Sequence, residues 1–188
     1  ILTDNSITRA RMMGAQVNTT GAVSINALGR RIGDAQALGA AIGGGGAIGV
    51  SLAMVNLGGL VETQLGASGG SNSVIGSAGE RAQSVAISAT AENLAIAETG
   101  AASGGLGAAI AGSVATAKAA TTVSSRVEGA TIYASGQVSA QSLARSRALA
   151  DARGIALSGL FSVGGSLADA RVSNAVTTTL ASSAASSR

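Results

Sequence analysis

Cysteine, histidine, proline and tryptophan are absent from this 188-residue sequence, which also has only one tyrosine and one phenylalanine. Without cysteine the chain has neither disulfides nor thiolate sites, so cysteine usage leaves the redox compartment open. Without histidine or cysteine, the remaining arrangement for nucleophilic catalysis is a serine with a lysine. The scarcity of aromatic rings removes the usual platforms for stacking sugars or nucleic-acid bases.

Charged residues are also scarce, at 11% of the sequence, which is about half the usual share for a soluble domain. The net charge of +3 is spread along the chain, whereas nucleic-acid binding requires a dense basic face. The nine acidic residues are scattered too, so the sequence predicts no metal site. The abundant residues are small ones: alanine, valine and 28 glycines. A core built from such residues must be thin, with its backbones close together.

Two short strings recur three times along the chain. A valine opens the first string, at Val23, Val85 and Val138, and these valines are 62 and then 53 residues apart. A serine opens the second string 28 residues after each valine, at Ser51, Ser113 and Ser166. Self-similarity at a fixed spacing is typical of repeat architectures. We therefore predict one repeat domain over residues 1–188, with repeats at 23–84, 85–137 and 138–188 and with residues 1–22 as the tail of a preceding unit.

Small and larger side chains alternate for about twenty residues after each opening valine, a period of two that predicts β-strands. An α-helix is the alternative, because QSLARSRALADAR in the third repeat contains many good helix formers. Gly29, Gly33 and Gly39 favour the strand, since each would cost about 1 kcal/mol relative to alanine inside a helix.

A glycine-rich bend follows each alternating segment, at Gly43–Gly46, Ser103–Gly107 and Ser158–Gly159. The alternation then resumes, and if the small faces of the outgoing and returning strands meet, the sheets approach more closely than the usual ~10 Å. After a turn at Leu57–Gly59 comes a short strand with apolar positions at Val61, Val123 and Val176, and at Leu65, Val127 and Leu180. The nine additional residues of the first repeat fall around GASGGSNS, between Leu65 and Val85. The predicted fold is an all-β β-solenoid of three repeats of about 53–62 residues with a thin Ala/Gly/Ser core.

Stacked repeats would place equivalent side chains in ladders about 4.8 Å apart. The predicted ladders are Arg30, Glu92 and Arg145; Met54, Thr116 and Asp169; and Asn56, Lys118 and Arg171. Asp169 is expected to pair with Arg171 or with Lys118. Glu98 stacks unfavourably on Asp151 unless Arg153 shields it.

Motifs that could carry chemistry are few. Gly44–Gly49 satisfies the dinucleotide pattern G-x-G-x-x-G, but a strand-like alternation follows it in place of the required helix. Ser113 and Lys118 are predicted on opposite faces of one strand, and the carboxylate pairs Glu92/Glu98 and Asp34/Glu92 are predicted to be ladder or surface groups. Asn18-Thr19-Thr20 fits the glycosylation rule, a triplet that is common by chance. We therefore predict no enzyme activity, no catalytic residue, no metal and no cofactor.

The segment Ala37–Val61 is uncharged over 25 residues and long enough to span a bilayer. Eight of these residues are glycine, and the third repeat places Arg153, Asp169 and Arg171 in the matching region, which argues against a membrane span. A membrane-active glycine-zipper protein remains one alternative. A binder of ice or another crystalline surface is a second, although the threonines at Thr121–Thr122 and Thr177–Thr179 are irregularly placed.

The strings GAVSINA and AIGVSLAMVN, separated by a glycine-rich bend and followed by V-x-x-x-L, resemble the degenerate repeats of large bacterial surface adhesins of the filamentous-haemagglutinin and leukotoxin-like type. The resemblance covers most of the chain but carries no catalytic motif. The aspartate usual before the opening valine is replaced by Ala22, Ser84 and Gln137. The resemblance implies a secreted β-solenoid of the bacterial cell surface that holds functional parts away from the cell and contacts host or neighbouring cells.

The repeat pattern itself predicts a rigid spacer, because repeats that contact only their neighbours give length in proportion to their number. A chain that begins at Ile1 without a leader indicates a mature product or a fragment. Neither terminus shows a polar cap, so exposed strand edges are expected to stack copies end to end into filaments or fibres. Nucleic acid and small-molecule substrates are not expected partners.

Overall fold

The computed structural model describes residues 1–66 and 72–181, and every regular element within these ranges is a β-strand. The first strands are β1 (Leu2–Asp4), β2 (Ile7–Met12), β3 (Gln16–Val17), β4 (Ala22–Gly43), β5 (Gly46–Leu57), β6 (Leu60–Leu65) and β7 (Ser73–Ile75). The remaining strands are β8 (Ser84–Gly105), β9 (Ala108–Ala119), β10 (Thr122–Glu128), β11 (Ala130–Ile132), β12 (Val138–Ser158), β13 (Phe161–Val172) and β14 (Ala175–Ala181). The helical alternative is therefore wrong, since QSLARSRALADAR lies within β12.

Four parallel sheets contain these strands. The long sheet has the order β4-β8-β12, the return sheet β1-β5-β9-β13, the short sheet β14-β10-β6-β2, and the minor sheet β11-β7-β3. Consecutive strands of the chain thus lie in different sheets, and each sheet grows by adding a parallel strand from further along the chain. The prediction of an all-β fold with stacked parallel strands is confirmed.

The pairing register is the one that the recurring strings predict. In the long sheet Val85 lies between Val23 and Val138. In the return sheet Ser113 lies between Ser51 and Ser166. Residues 62 and 53 apart in the chain are therefore neighbours in space, and hydrogen bonds between side chains join them at both separations. Residues 2–17 pair with β5, β6 and β7, so the start of the chain occupies return-sheet, short-sheet and minor-sheet positions.

The small faces of the long sheet and the return sheet meet, as predicted. A Cβ atom built on Gly39 would lie 2.5 Å from the backbone oxygen of Val50, and one on Gly33 would lie 2.6 Å from a methyl carbon of Val55. The core between the two sheets is correspondingly thin and consists largely of alanine, at Ala53, Ala95, Ala97, Ala115 and Ala117. Glycine and alanine are required here because larger side chains would push the two backbones apart.

The core widens at the other end of the long strands, where the short and minor sheets close it. Larger side chains fill that region, including Leu65, Ile75, Val85, Ile87 and Val127. The first two bends at the narrow end are tighter than predicted, because only Gly44 and Gly45 connect β4 to β5 and only Leu106 and Gly107 connect β8 to β9. Part of the predicted insertion, residues 67–71, and the end of the third repeat, residues 182–188, lie outside the described residues.

The turn before the short strand requires glycine. Gly59 has a φ of +106°, a backbone conformation that side-chain-bearing residues rarely adopt. A Cβ atom on Gly59 would also collide with the backbone oxygen of Ser6, which belongs to the preceding coil of the stack. This glycine therefore lets the turn between β5 and β6 lie directly against the turn between β1 and β2.

Candidate functional site

The serine and lysine that could have formed a nucleophilic pair lie apart. Ser113 faces the thin core of β9, where its side chain is buried and its hydroxyl oxygen has no hydrogen-bond partner. Lys118 has the opposite parity in the same strand and lies on its outer face. The predicted separation of Ser113 and Lys118 onto opposite faces is confirmed.

The dinucleotide-like glycines lie at a bend and in a strand. Gly44 and Gly45 form the connection between β4 and β5, while Gly46 and Gly49 belong to β5 itself. Gly49 packs against the backbone oxygen of Ala102 in the long sheet. A helix whose N-terminus could hold a pyrophosphate does not follow these glycines, since the next element is β5.

The predicted charge ladders lie on the outer faces of the sheets. Glu92 is paired in register with Arg30 on one side and with Arg145 on the other. Thr116 lies between Met54 and Asp169. Among the described residues there is no group of three acidic side chains placed to hold a metal ion.

Two ion pairs stabilise the outer face of the last strands. Arg171 Nε donates to Asp169 Oδ1 over 2.8 Å, so Asp169 pairs with Arg171, the first of the two predicted partners. Arg153 donates to Asp151 over 2.7 Å, which is the shielding expected for the stacked Glu98 and Asp151. The hydrogen bond from Arg153 to Asp151 and their mutual attraction raise the pKa of Arg153.

A chain of polar groups, buried at its centre and partly exposed at its ends, runs through the stack and was not predicted from the sequence. Asn93 lies between Arg31 and Ser146 in the register of the long sheet. Its side-chain amide donates to Thr121 Oγ1 over 2.7 Å and to Ser146 Oγ over 3.0 Å, and its oxygen accepts from Arg31. Ser146 donates in turn to Asn174. We call these residues, with Ser6, the polar spine.

At one end of the polar spine a buried guanidinium binds Ser6. Arg31 is 4% exposed, and it donates from Nε to the hydroxyl oxygen of Ser6 over 2.9 Å and from a terminal nitrogen to the backbone oxygen of Ser6 over 2.7 Å. These bonds tie the turn between β1 and β2 to the long sheet. The polar spine is therefore a structural connection between successive turns.

A second polar cluster, also missed, lies on the outer face of the short sheet. The carboxylate of Glu62 accepts from Arg11 over 2.7 Å and lies 3.1 Å from Arg9 Nε. The Glu62 side chain is only 10% exposed, so this triad is partly withdrawn from water. The register explains the cluster, because Arg9 is directly opposite Glu62 and Arg11 is two residues further along β2.

The threonines that suggested a crystalline surface do not form a regular array. Thr178 donates to the hydroxyl of Ser142, whereas Thr177 and Thr179 lie on the other face of β14. Their register partners in β10 are Ser124 and Arg126. Different residue types therefore occupy successive rungs of this ladder.

An extended apolar surface surrounds the three bends. We call it the tip and define it as residues 38–52, 100–114 and 154–167, a region without a charged residue. On the long sheet the exposed apolar side chains are Leu38, Ile42, Ile155 and Leu157. At the bends they are Leu106 and Leu160. On the return sheet they are Ile48, Val50, Leu52, Ile110, Phe161, Val163 and Leu167.

A shallow groove runs along the long-sheet face of the tip. Gly100 and Ala102 of the central strand form its floor, while Leu38 on one side and Ile155 on the other form its walls. Its volume is about 440 Å³. The groove exists because the central strand carries glycine where both neighbouring strands carry larger residues: Leu38 and Arg153 flank Gly100, and Ile42 and Leu157 flank Gly104.

Comparisons with known proteins identify no relative: no protein-family model, curated protein or solved structure matches this chain. Within the described residues, none of the elements is a helix long and apolar enough to cross a membrane.

Proposed function

We propose that the chain is a β-solenoid of three coils that serves as a rigid stalk or filament segment of an adhesin-like protein at the bacterial cell surface. The observation that carries this proposal is the unbroken parallel register of the long, return and short sheets at the same two chain separations, 62 and 53 residues. A chain that adds one strand to every sheet per coil extends along a single axis. The buried groups found in this stack, the polar spine and the alanine core, hold neighbouring coils together.

Self-association end to end is part of the proposal. The return and short sheets terminate in β13 and β14 at one end of the stack and in β1 and β2 at the other. An edge strand presents unpaired backbone groups that favour pairing with another chain. The existing register would place Leu2 of one copy beside Ala170 of the next, because both are aligned with Val55 through the intervening Ala117.

The joint between copies would be weaker than the stacking inside one chain. It uses β1 and β2, which have 3 and 6 residues. At the same level the 21-residue strand β12 would lack a partner, because β4 belongs to the next level of the stack. We therefore expect assembly that depends strongly on protein concentration.

A proline at Ala170 tests this joint. The backbone amides of Phe161 and Ser173 donate to Gly107 and Ala119 of the preceding coil. Because alternate residues of a parallel strand point to opposite sides, the Ala170 amide points to the open edge. Proline is tolerated at such an edge position but blocks further pairing. Ala170→Ser keeps the amide and is the matched control.

Sedimentation velocity and electron microscopy over a range of concentrations provide the measurement. We expect the wild type and Ala170→Ser to form end-to-end oligomers and Ala170→Pro to remain monomeric with an unchanged circular dichroism spectrum. A wild-type chain that is monomeric at every concentration would contradict self-association. A helical circular dichroism spectrum would contradict the stalk as a whole.

A further inference from the structure

The tip is apolar on three sides. Leu38 and Ile42 on the long sheet are 92% and 94% exposed, and Leu106 and Leu160 at the bends are 78% and 87% exposed. Val50 and Leu167 continue this surface around the bend onto the return sheet. Contiguous exposed apolar surface of this kind typically marks an interaction site.

Paired charges of both signs border the tip on each face. On the long sheet the border is formed by Glu98 and by the pair of Asp151 and Arg153, with Arg153 level with Leu38 in the pairing register. On the return sheet it is formed by the pair of Asp169 and Arg171. The uncharged surface between these borders and the bends is about 15–25 Å deep, at ~3.3 Å per residue.

The backbone at the bends is largely satisfied by the stack itself. Ala108 donates to Gly45, Gly159 donates to Gly105, and Leu160 donates to Gly107. A bend stacked in this way loses few hydrogen bonds when water around it is removed. An unpaired backbone group in hydrocarbon, in contrast, costs several kcal/mol. The outer edges of β4, β12 and β13 lack this protection, as does the edge of β5 before Val55, which limits how deeply the tip can leave water.

We propose that the tip inserts into the surface of a lipid bilayer, with its apolar residues in the outer hydrocarbon of one leaflet. A partner protein or a second copy covers one face, whereas the apolar surface of the tip continues over both faces and the bend, as insertion into hydrocarbon requires. The charge pattern agrees, since an uncharged tip meets acyl chains while the mixed ion pairs lie level with zwitterionic headgroups. The tip is deeper than such shallow insertion requires, because the hydrocarbon of one leaflet is about 15 Å thick.

Single-cysteine labelling measures this insertion directly, because the chain has no native cysteine. Leu106→Cys places an environment-sensitive fluorophore at the bend, and Asn18→Cys places it at the opposite end of the long strands. With phosphatidylcholine vesicles we expect a blue shift of the emission at position 106 and no change at position 18. Equal responses at both positions, or none at either, would overturn the proposal.

Matched aspartate variants identify the surface responsible. Leu38→Asp and Leu28→Asp change exposed leucines on the same outer face of β4, inside and outside the tip respectively. We expect Leu38→Asp to reduce vesicle partitioning by at least about tenfold, given the free energy of burying one leucine, and Leu28→Asp to leave it unchanged. Equal effects of the two variants would contradict insertion through the tip.

Two further conditions distinguish other occupants. Binding to phosphatidylcholine vesicles should persist in high salt, and its loss there would replace insertion with electrostatic adsorption. A blue shift at position 106 that rises with protein concentration without vesicles, and that Leu38→Asp abolishes, would assign the tip to a second copy of this chain and overturn the lipid proposal.

Discussion

The side-chain amide of Asn93 donates a 2.7 Å hydrogen bond to the hydroxyl of Thr121, and both side chains are buried between the long sheet and the turn after β9. The two residues are 28 positions apart in the chain. This contact joins β8 to the end of β9 within one coil of the stack. Through its hydrogen bonds with Arg31 and Ser146, the same amide group is also connected to the coils on either side.

Replacing Asn93 with alanine should lower the free energy of unfolding by about 2–3 kcal/mol, because Arg31, Thr121 and Ser146 lose a buried partner. The matched control is Asn26→Ala. Asn26 accepts a hydrogen bond from Ser88 between the same two strands, but on the exposed face. We expect that control to change stability by no more than ~0.5 kcal/mol. Urea unfolding followed by circular dichroism measures both, and equal losses would contradict a structural role for the polar spine.

Gly39→Ala should also destabilise the fold, by about 1–3 kcal/mol, because the added methyl group would meet the backbone oxygen of Val50. Gly112→Ala serves as the control, since a Cβ atom there meets nothing within 4 Å. The control should be neutral or up to ~1 kcal/mol more stable, as the unfolded chain loses conformational freedom. If Gly39→Ala is as stable as Gly112→Ala, the two sheets are further apart than described.

The Glu62 cluster predicts that removing its carboxylate costs more stability than removing the carboxylate of an exposed ion pair. Glu62→Gln should cost about 1–3 kcal/mol, because Arg9 and Arg11 would then lie together without a carboxylate. Asp151→Asn removes the acidic partner of an exposed pair, which should cost much less than Glu62→Gln because water screens that pair. Thermal unfolding of both variants at low ionic strength is the measurement. A larger loss for Asp151→Asn would contradict the assigned burial.

The pairing pattern followed from the sequence because a period of two and two recurring strings are local signals. Val23, Val85 and Val138 could be aligned from sequence alone, and the ladder of Arg30, Glu92 and Arg145 came with that alignment. The small residues Gly39 and Ser51 likewise indicated closely packed sheets.

The polar contacts could not be predicted in the same way. Arg31, Asn93 and Ser146 occupy equivalent positions but differ in chemistry, so no recurring residue type marked the polar spine. Its other members, such as Thr121, lie in turns whose position depends on how tightly the sheets close. The Glu62 cluster depended on the register of β2, in a part of the chain where no string recurs. The tip could be recognised only from the structure, which brings the three bends together at one end of the long strands.

The central claim is that residues 62 and 53 apart in the chain are neighbours in a parallel stack. Pyrene labels on paired cysteines test it directly, since excimer emission requires two rings in contact. Asn26→Cys with Ser88→Cys joins side chains now linked by a 3.0 Å hydrogen bond and should give strong excimer emission. Asn26→Cys with Glu98→Cys lies ten residues out of register, about 33 Å apart, and should give monomer emission alone. Monomer emission from the first pair, or excimer emission from the second in dilute protein, would contradict the stacked register.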